Sequence, residues 1–101
     1  MGSAPVAAVA AEFLDDRAPA GGFVVRTEKD GSTSLCYVCP CACGDWRCLP
    51  VTTGVKAERA WLWDGDRETP TLTPSIRHLD RCRFHGFLTA GVWTFCGDSG
   101  S

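Results

Sequence analysis

The run Cys39-Pro40-Cys41-Ala42-Cys43-Gly44 constrains this chain more than any other feature, because three thiols in so short a stretch must bond, bind or react. The full set is Cys36, Cys39, Cys41, Cys43, Cys48, Cys82 and Cys96, an odd number, so a complete framework of internal disulfides is excluded. A chain of 101 residues supports one domain with a modest core, which benefits from a covalent or metal staple. The first ten residues lack the basic segment of a secretory signal, and their short apolar run ends at Glu12, Asp15 and Asp16. The expected location is therefore cytoplasmic, where clustered cysteines hold metal more often than they form bridges. No apolar stretch approaches ~20 residues, which argues against a membrane span. A net charge of −2 argues against nucleic acid as a partner.

The chain divides into an N-terminal tail or short helix over 1–21, a zinc-binding β domain over 22–96 and a C-terminal tail over 97–101. Pro5 and the alanines that follow suit a helix over 5–14. The 15–22 stretch, rich in Asp, Pro and Gly, then breaks it. Beyond Gly22 the pattern is mainly β, a small single domain of hairpins stapled by zinc. Phe23–Val25 and Leu35–Val38 flank Asp30-Gly31, a favourable hairpin turn. Arg47–Val51 reads as a short strand at an edge, because Pro50 lacks a ladder donor. Arg59–Trp63 runs into the Asp64-Gly65-Asp66 turn, and Thr71–Thr73 returns from it to close at Pro74. Phe84–Leu88 and Val92–Phe95 make a last hairpin around Thr89-Ala90-Gly91.

Zinc prefers four thiolate or imidazole ligands at ~2.3 Å, which places the sulfurs ~3.8 Å apart. On an extended strand residues i and i+2 lie ~6.6 Å apart, so the cysteine run must bend, as Pro40 and Gly44 allow. Cys82 and His85 rank first as ligands, with two of Cys39, Cys41 and Cys43 completing the set. Three residues apart on a regular strand, Cys82 and His85 would face opposite sides. A shared ion therefore needs a turn between them, with His85 at the start of the strand. Cys36 and Cys48 read as small buried strand residues, and Cys96 as a strand end within reach of the site. His78 reads as a loop histidine. Cys36-x-x-Cys39 has redox spacing without the βαβ setting of a thioredoxin.

At these residues the sequence resembles a family of small bacterial and phage proteins that share a cysteine-rich knuckle and a Cys-His pair. Some members occur in operons for ubiquitin-like conjugation. The resemblance is carried by Cys39–Gly44, by Trp63-Asp-Gly-Asp-Arg-Glu-Thr-Pro-Thr-Leu-Thr-Pro-Ser-Ile76, by Cys82-Arg-Phe-His85 and by Phe87–Trp93, and it spans roughly 22–95. It implies zinc bound by the knuckle and the Cys-His pair. It also implies a peptidase that matures or removes a ubiquitin-like modifier, with the modifier or its conjugates as partner. Two departures stand out: Ala42 replaces a glycine of the knuckle, and Gly86 stands where an aromatic is usual.

A catalytic zinc needs an open position for water and a nearby general base. Glu68, in the family-like stretch, is the expected base, and Ser75 is expected to position substrate or support an oxyanion. A second reading makes Cys82 or a knuckle thiol a nucleophile with His85 as its base. The non-enzymatic reading is a zinc-stapled adaptor, for which exposed members of the Trp61, Trp63, Trp93 and Phe95 set would supply a binding patch; as core residues they would not. Arg77, Arg81 and Arg83 add positive charge beside the Cys-His pair. The string Gly97-Asp98-Ser99-Gly100 matches the surroundings of a serine-protease nucleophile, but the chain is too short for that double barrel, so the match reads as coincidence.

Overall fold

The computed structural model describes residues 4–12, 18–54, 59–79 and 82–99, and among these the chain is all β, without a helix. The strands are β1 (Val6–Ala7), β2 (Val9–Ala10), β3 (Gly22–Thr27), β4 (Thr33–Val38), β5 (Trp46–Thr53), β6 (Trp61–Trp63), β7 (Leu72–Arg77), β8 (His85–Thr89) and β9 (Val92–Phe95). They form one sheet in the order β1-β9-β8-β7-β6-β5-β4-β3-β2. β1 and β2 belong to one short segment, yet β1 pairs antiparallel with β9 and β2 pairs parallel with β3. This segment straps the two ends of the sheet together and makes it a nearly closed barrel.

The strap corrects the helix expected over 5–14, of which residues 13 and 14 lie outside the described residues. Alanine's helix propensity is a weak local preference, and here non-local pairing overrides it. The Ala8 amide donates to the Gly91 carbonyl and the Ala11 amide to that of Phe23, so backbone groups are satisfied by the sheet. Pairing sets Val6 against Trp93 and Ala7 against Val92.

The hairpins follow their turn chemistry. β3 and β4 pair antiparallel across a turn in which Gly31 has φ 89° and the Asp30 carboxylate accepts the Ser32 amide and hydroxyl. β8 and β9 are joined by Ala90 and Gly91, both at positive φ, as a tight two-residue turn requires.

Two expectations about proline are corrected. β5 is an interior strand between β4 and β6, not an edge. Cys36 and Cys48 sit opposite each other with Cα atoms 3.9 Å apart, a narrow pair without mutual backbone hydrogen bonds. Pair types alternate, so Ser34 and Pro50 form another such pair, and β6 joins β5 only from Val51 onward. The donor that Pro50 lacks therefore falls where no ladder bond is made. β7 likewise continues through Pro74. Between Leu72↔Leu88 and Ile76↔Gly86 it contains two more residues than β8, a bulge that carries Thr73, Pro74 and Ser75.

Phe23, Leu35, Tyr37, Leu72, Ile76, Phe84, Leu88 and Trp93 form the buried centre. Trp63 is also buried, while Trp61 and Phe95 pack against the cluster, so these aromatics belong to the core. The Trp93 indole donates to the Gly21 carbonyl at 2.9 Å, fixing the last hairpin to the start of β3. Cys36 is buried as expected, but Cys48 is exposed and the two are joined by a disulfide across β4 and β5. That corrects their reading as independent packing residues. Cys39, Cys41, Cys43, Cys82 and Cys96 are left as free thiols.

Candidate active site and metal centre

Cys39 follows β4 directly and opens the knuckle that returns the chain into β5. The Cys39 amide donates to the Asp45 carbonyl at 2.8 Å and the Ala42 amide to that of Cys39 at 3.1 Å. Ala42 and Gly44 take positive φ, 68° and 88°, and supply the bend that brings successive thiols to one side. Cys82 joins them from 43 residues away, its Sγ 3.5 Å from that of Cys39, and the Cys39 and Cys41 sulfurs are 3.1 Å apart. The four sulfurs of Cys39, Cys41, Cys43 and Cys82 all lie within 4.8 Å of one another. Such soft donors at that spacing fit a tetrahedral metal ion such as zinc. Burial pushes the Cys39 thiol well up and that of Cys41 up to about 11. At Cys43, burial is outweighed by the Asp45 amide and the neighbouring thiols, and the thiol is lowered. Cys39 and Cys41 thus keep their protons near neutrality, and a bound cation would have to displace them.

His85 is not in this group. The chain does turn between Cys82 and His85, with Arg83 at φ 54°, but the turn parts the two side chains instead of converging them. Phe84 points inward between them, fully buried, with its ring edge-on to Trp93 and Phe95. Cys82 is left facing the knuckle and His85 starts β8 on the outer face. A Cys82–His85 nucleophile pair is not formed, and the cation of Arg83 is exposed; Arg81 lies outside the described residues. The histidine beside the thiols is His78, just after β7 and buried. Its Nδ1 is 3.8 Å from Cys82 Sγ and its Nε2 is 2.6 Å from the Tyr37 hydroxyl.

On the outer face, His85 completes a different arrangement. Its Nε2 lies 3.2 Å from Ser75 Oγ and its Nδ1 lies 2.7 Å from Asp98 Oδ1. Strand alternation explains the exposure: Ile76 and Gly86 point inward as a pair, so Ser75, Arg77 and His85 take the outer side. The bulge in β7 sets Ser75 beside the ring, and the Trp61 indole donates to the Ser75 carbonyl at 3.3 Å. Arg77 is paired with His85 across the ladder, and its guanidinium binds the other carboxylate oxygen of Asp98. The hydrogen bond from His85, with the nearby Arg77 charge, holds the Asp98 carboxyl below the usual aspartate range. The turn after β9 is tied down as well. The His85 amide donates to Ser99 Oγ at 3.0 Å, and the Cys96 amide donates to the His85 carbonyl at 2.8 Å.

Of the residues expected to carry catalysis, Ser75 is in the site and Glu68 is not brought to it. The Glu68 amide is held by Asp66 in an exposed turn, and its neighbour Thr69 lies against Gly91 at the tip of the β8–β9 hairpin. His85 is at the other end of β8, about 13 Å away at strand rise. Asp98 was missed. By sequence alone the string Gly97–Gly100 reads as a coincidence in a chain too short for that double barrel, whereas in the fold the carboxylate of Asp98 meets the histidine. The segment expected to be a free tail therefore furnishes part of the site.

A serine hydroxyl, an imidazole and a carboxylate in hydrogen-bonded sequence define the constellation of a serine hydrolase. The fold that carries it is a small all-β barrel with a four-thiol centre on another side. The chain matches, over residues 10–96, the family described as bacterial ubiquitination-like system serine protease (BubE), and it belongs to that family. It is thus a member of a protease family of a bacterial ubiquitination-like system. No curated protein and no solved structure gives a significant match.

Proposed function

We propose that this chain hydrolyses a peptide bond at the C-terminal side of a ubiquitin-like modifier, with Ser75 as nucleophile, His85 as general base and acid, and Asp98 as the orienting carboxylate. The observation that carries the reading is the hydrogen-bonded series from Asp98 Oδ1 through the His85 ring to Ser75 Oγ. In it, Nδ1–H donates to Asp98, which leaves the Nε2 lone pair facing the serine. Ser75 Oγ attacks the scissile carbonyl as its proton passes to Nε2. The imidazolium formed, stabilised by Asp98, then gives that proton to the leaving amine, and an acyl ester on Ser75 remains. Water attacks the ester, giving its proton to Nε2, and the carboxylate product leaves as Oγ regains a proton.

The thiol centre fits the role of a staple. Four thiolates would saturate a tetrahedral zinc and leave no position for a reacting water. Cys39, Cys41 and Cys43 would then be clamped to Cys82, which fixes the turn that leads into His85. Membership of the family supports a modifier or its conjugates as substrate.

The test uses a fluorophosphonate, which reports an activated serine without needing the natural substrate, together with a modifier carrying a C-terminal fusion. Ser75→Ala and His85→Ala should each abolish labelling and lower cleavage by at least ~10³-fold, with the fold intact by circular dichroism. Glu68→Gln should cleave normally. Full labelling of the Ser75→Ala chain would remove Ser75 from the mechanism.

A further inference from the structure

Cys96 belongs neither to the disulfide nor to the four-thiol group. It is half-buried immediately after β9, and one ligand atom from each of His85, Cys96 and Asp98 lies within 4.8 Å of the other two. A thiol, an imidazole and a carboxylate converging at that distance form a mixed donor set suited to a borderline divalent ion. We propose that His85, Cys96 and Asp98 are a second metal site, taking Zn²⁺, whose occupation switches the serine off.

The ring geometry gives the mechanism. The nitrogen on the Asp98 side is Nδ1, and the nitrogen facing Ser75 is Nε2. Zinc bound through Nδ1 replaces the proton that Nδ1 shares with Asp98. A neutral imidazole carries one proton, which must then sit on Nε2. Nε2–H can donate to Ser75 Oγ but cannot accept its proton, so the base is lost without any ligand touching the serine. Binding moves the ring proton from Nδ1 to Nε2, releases the Cys96 proton to solvent and frees water from the ion. Arg77, on the second oxygen of Asp98, holds the carboxylate in place. Its charge also weakens the site relative to the four-thiol centre, so the inhibition is reversible.

The metal site itself stands on geometry alone; its effect on catalysis rests on the role given to Ser75. The probe is zinc, delivered in a chelator-buffered series to protein whose four-thiol centre is already filled. Zinc should slow fluorophosphonate labelling of Ser75, and a chelator should restore it. Cys96→Ser should label at the unsubstituted rate without zinc and require at least ~10-fold more free zinc for half-inhibition. Zinc should also slow alkylation of Cys96 by iodoacetamide, mapped by peptide mass, in the unsubstituted chain and in Ser75→Ala alike. The alkylation measurement needs no variant at Cys96 and holds whether or not Ser75 is the nucleophile. Equal half-inhibition with and without Cys96, or Cys96 alkylation indifferent to zinc, overturns the proposal.

Discussion

A Cβ built on Gly86 would fall 2.1 Å from the Thr94 carbonyl oxygen and 2.7 Å from the Phe84 ring. The aromatic that the resemblance makes usual at this position has no room here, between the Thr94 carbonyl and the Phe84 ring. Gly86→Ala should destabilise the fold by about 2 kcal/mol or more, read as a lower denaturant midpoint with an unchanged slope. Asp98 makes a second residue-scale prediction. Its carboxyl is held below the ordinary value of 3.8, so its folded pKa is below its unfolded one. The stability from its contacts is then fully present above the unfolded pKa and is lost as pH falls through the lower folded pKa. The melting-temperature gap between the unsubstituted chain and Asp98→Asn should persist from about pH 7 to pH 5 and close only in strong acid. A gap that persists at the lowest pH where both chains fold would contradict this. The sequence singles out Ser75, but nothing local to Pro74-Ser75-Ile76 announces the histidine from another strand that lies beside it.

At the scale of elements, what was legible was what local chemistry decides. Asp30-Gly31 and Ala90-Gly91 declared their hairpins, and the knuckle declared its bend. Register across non-consecutive strands was not legible. The Cys36–Cys48 pairing, the interior place of β5 and the bulge in β7 are all consequences of partners that the sequence leaves unnamed. The same limit bears on His85: spacing shows that a turn separates it from Cys82, but not which way the turn sends it. This distinction predicts an asymmetry in metal content. Cys39→Ser or Cys82→Ser should lose metal and melt at lower temperature, and a strong chelator should do the same to the unsubstituted chain. His85→Ala should retain the tightly bound ion, measured by elemental analysis after dialysis. Loss of that ion in His85→Ala would place the histidine back among its ligands.

The whole molecule is a sheet whose ends are held by a strap of very few residues. Val6 touches the space around Gly21, where an added Cβ would meet its Cγ1 at 2.9 Å, and the Ala8 amide bonds to Gly91. Replacing Val6 by Asp would set a charge against Trp93 and the Gly21 turn, so the chain should lose stability although Val6 lies far from Ser75 in sequence. Urea unfolding would show it as a lower midpoint, and an unchanged midpoint would show that the strap is dispensable. None of this closure was visible beforehand, because a helix-prone alanine run gives no local sign of two widely separated partners.

The strap also dictates an order of events during synthesis. Val6 is made early, but the barrel cannot shut until its partner Trp93, far along the chain, has been made as well. The loop that must close runs from Val6 to Trp93, and such long-range closure is entropically late. In refolding followed by pulsed hydrogen exchange, the Ala8 amide should gain protection after the amides of the β3–β4 hairpin. Ser75, His85 and Asp98 also meet only across β7, β8 and the turn after β9, so a nascent polypeptide assembles the proposed serine site only once it has been made past Asp98.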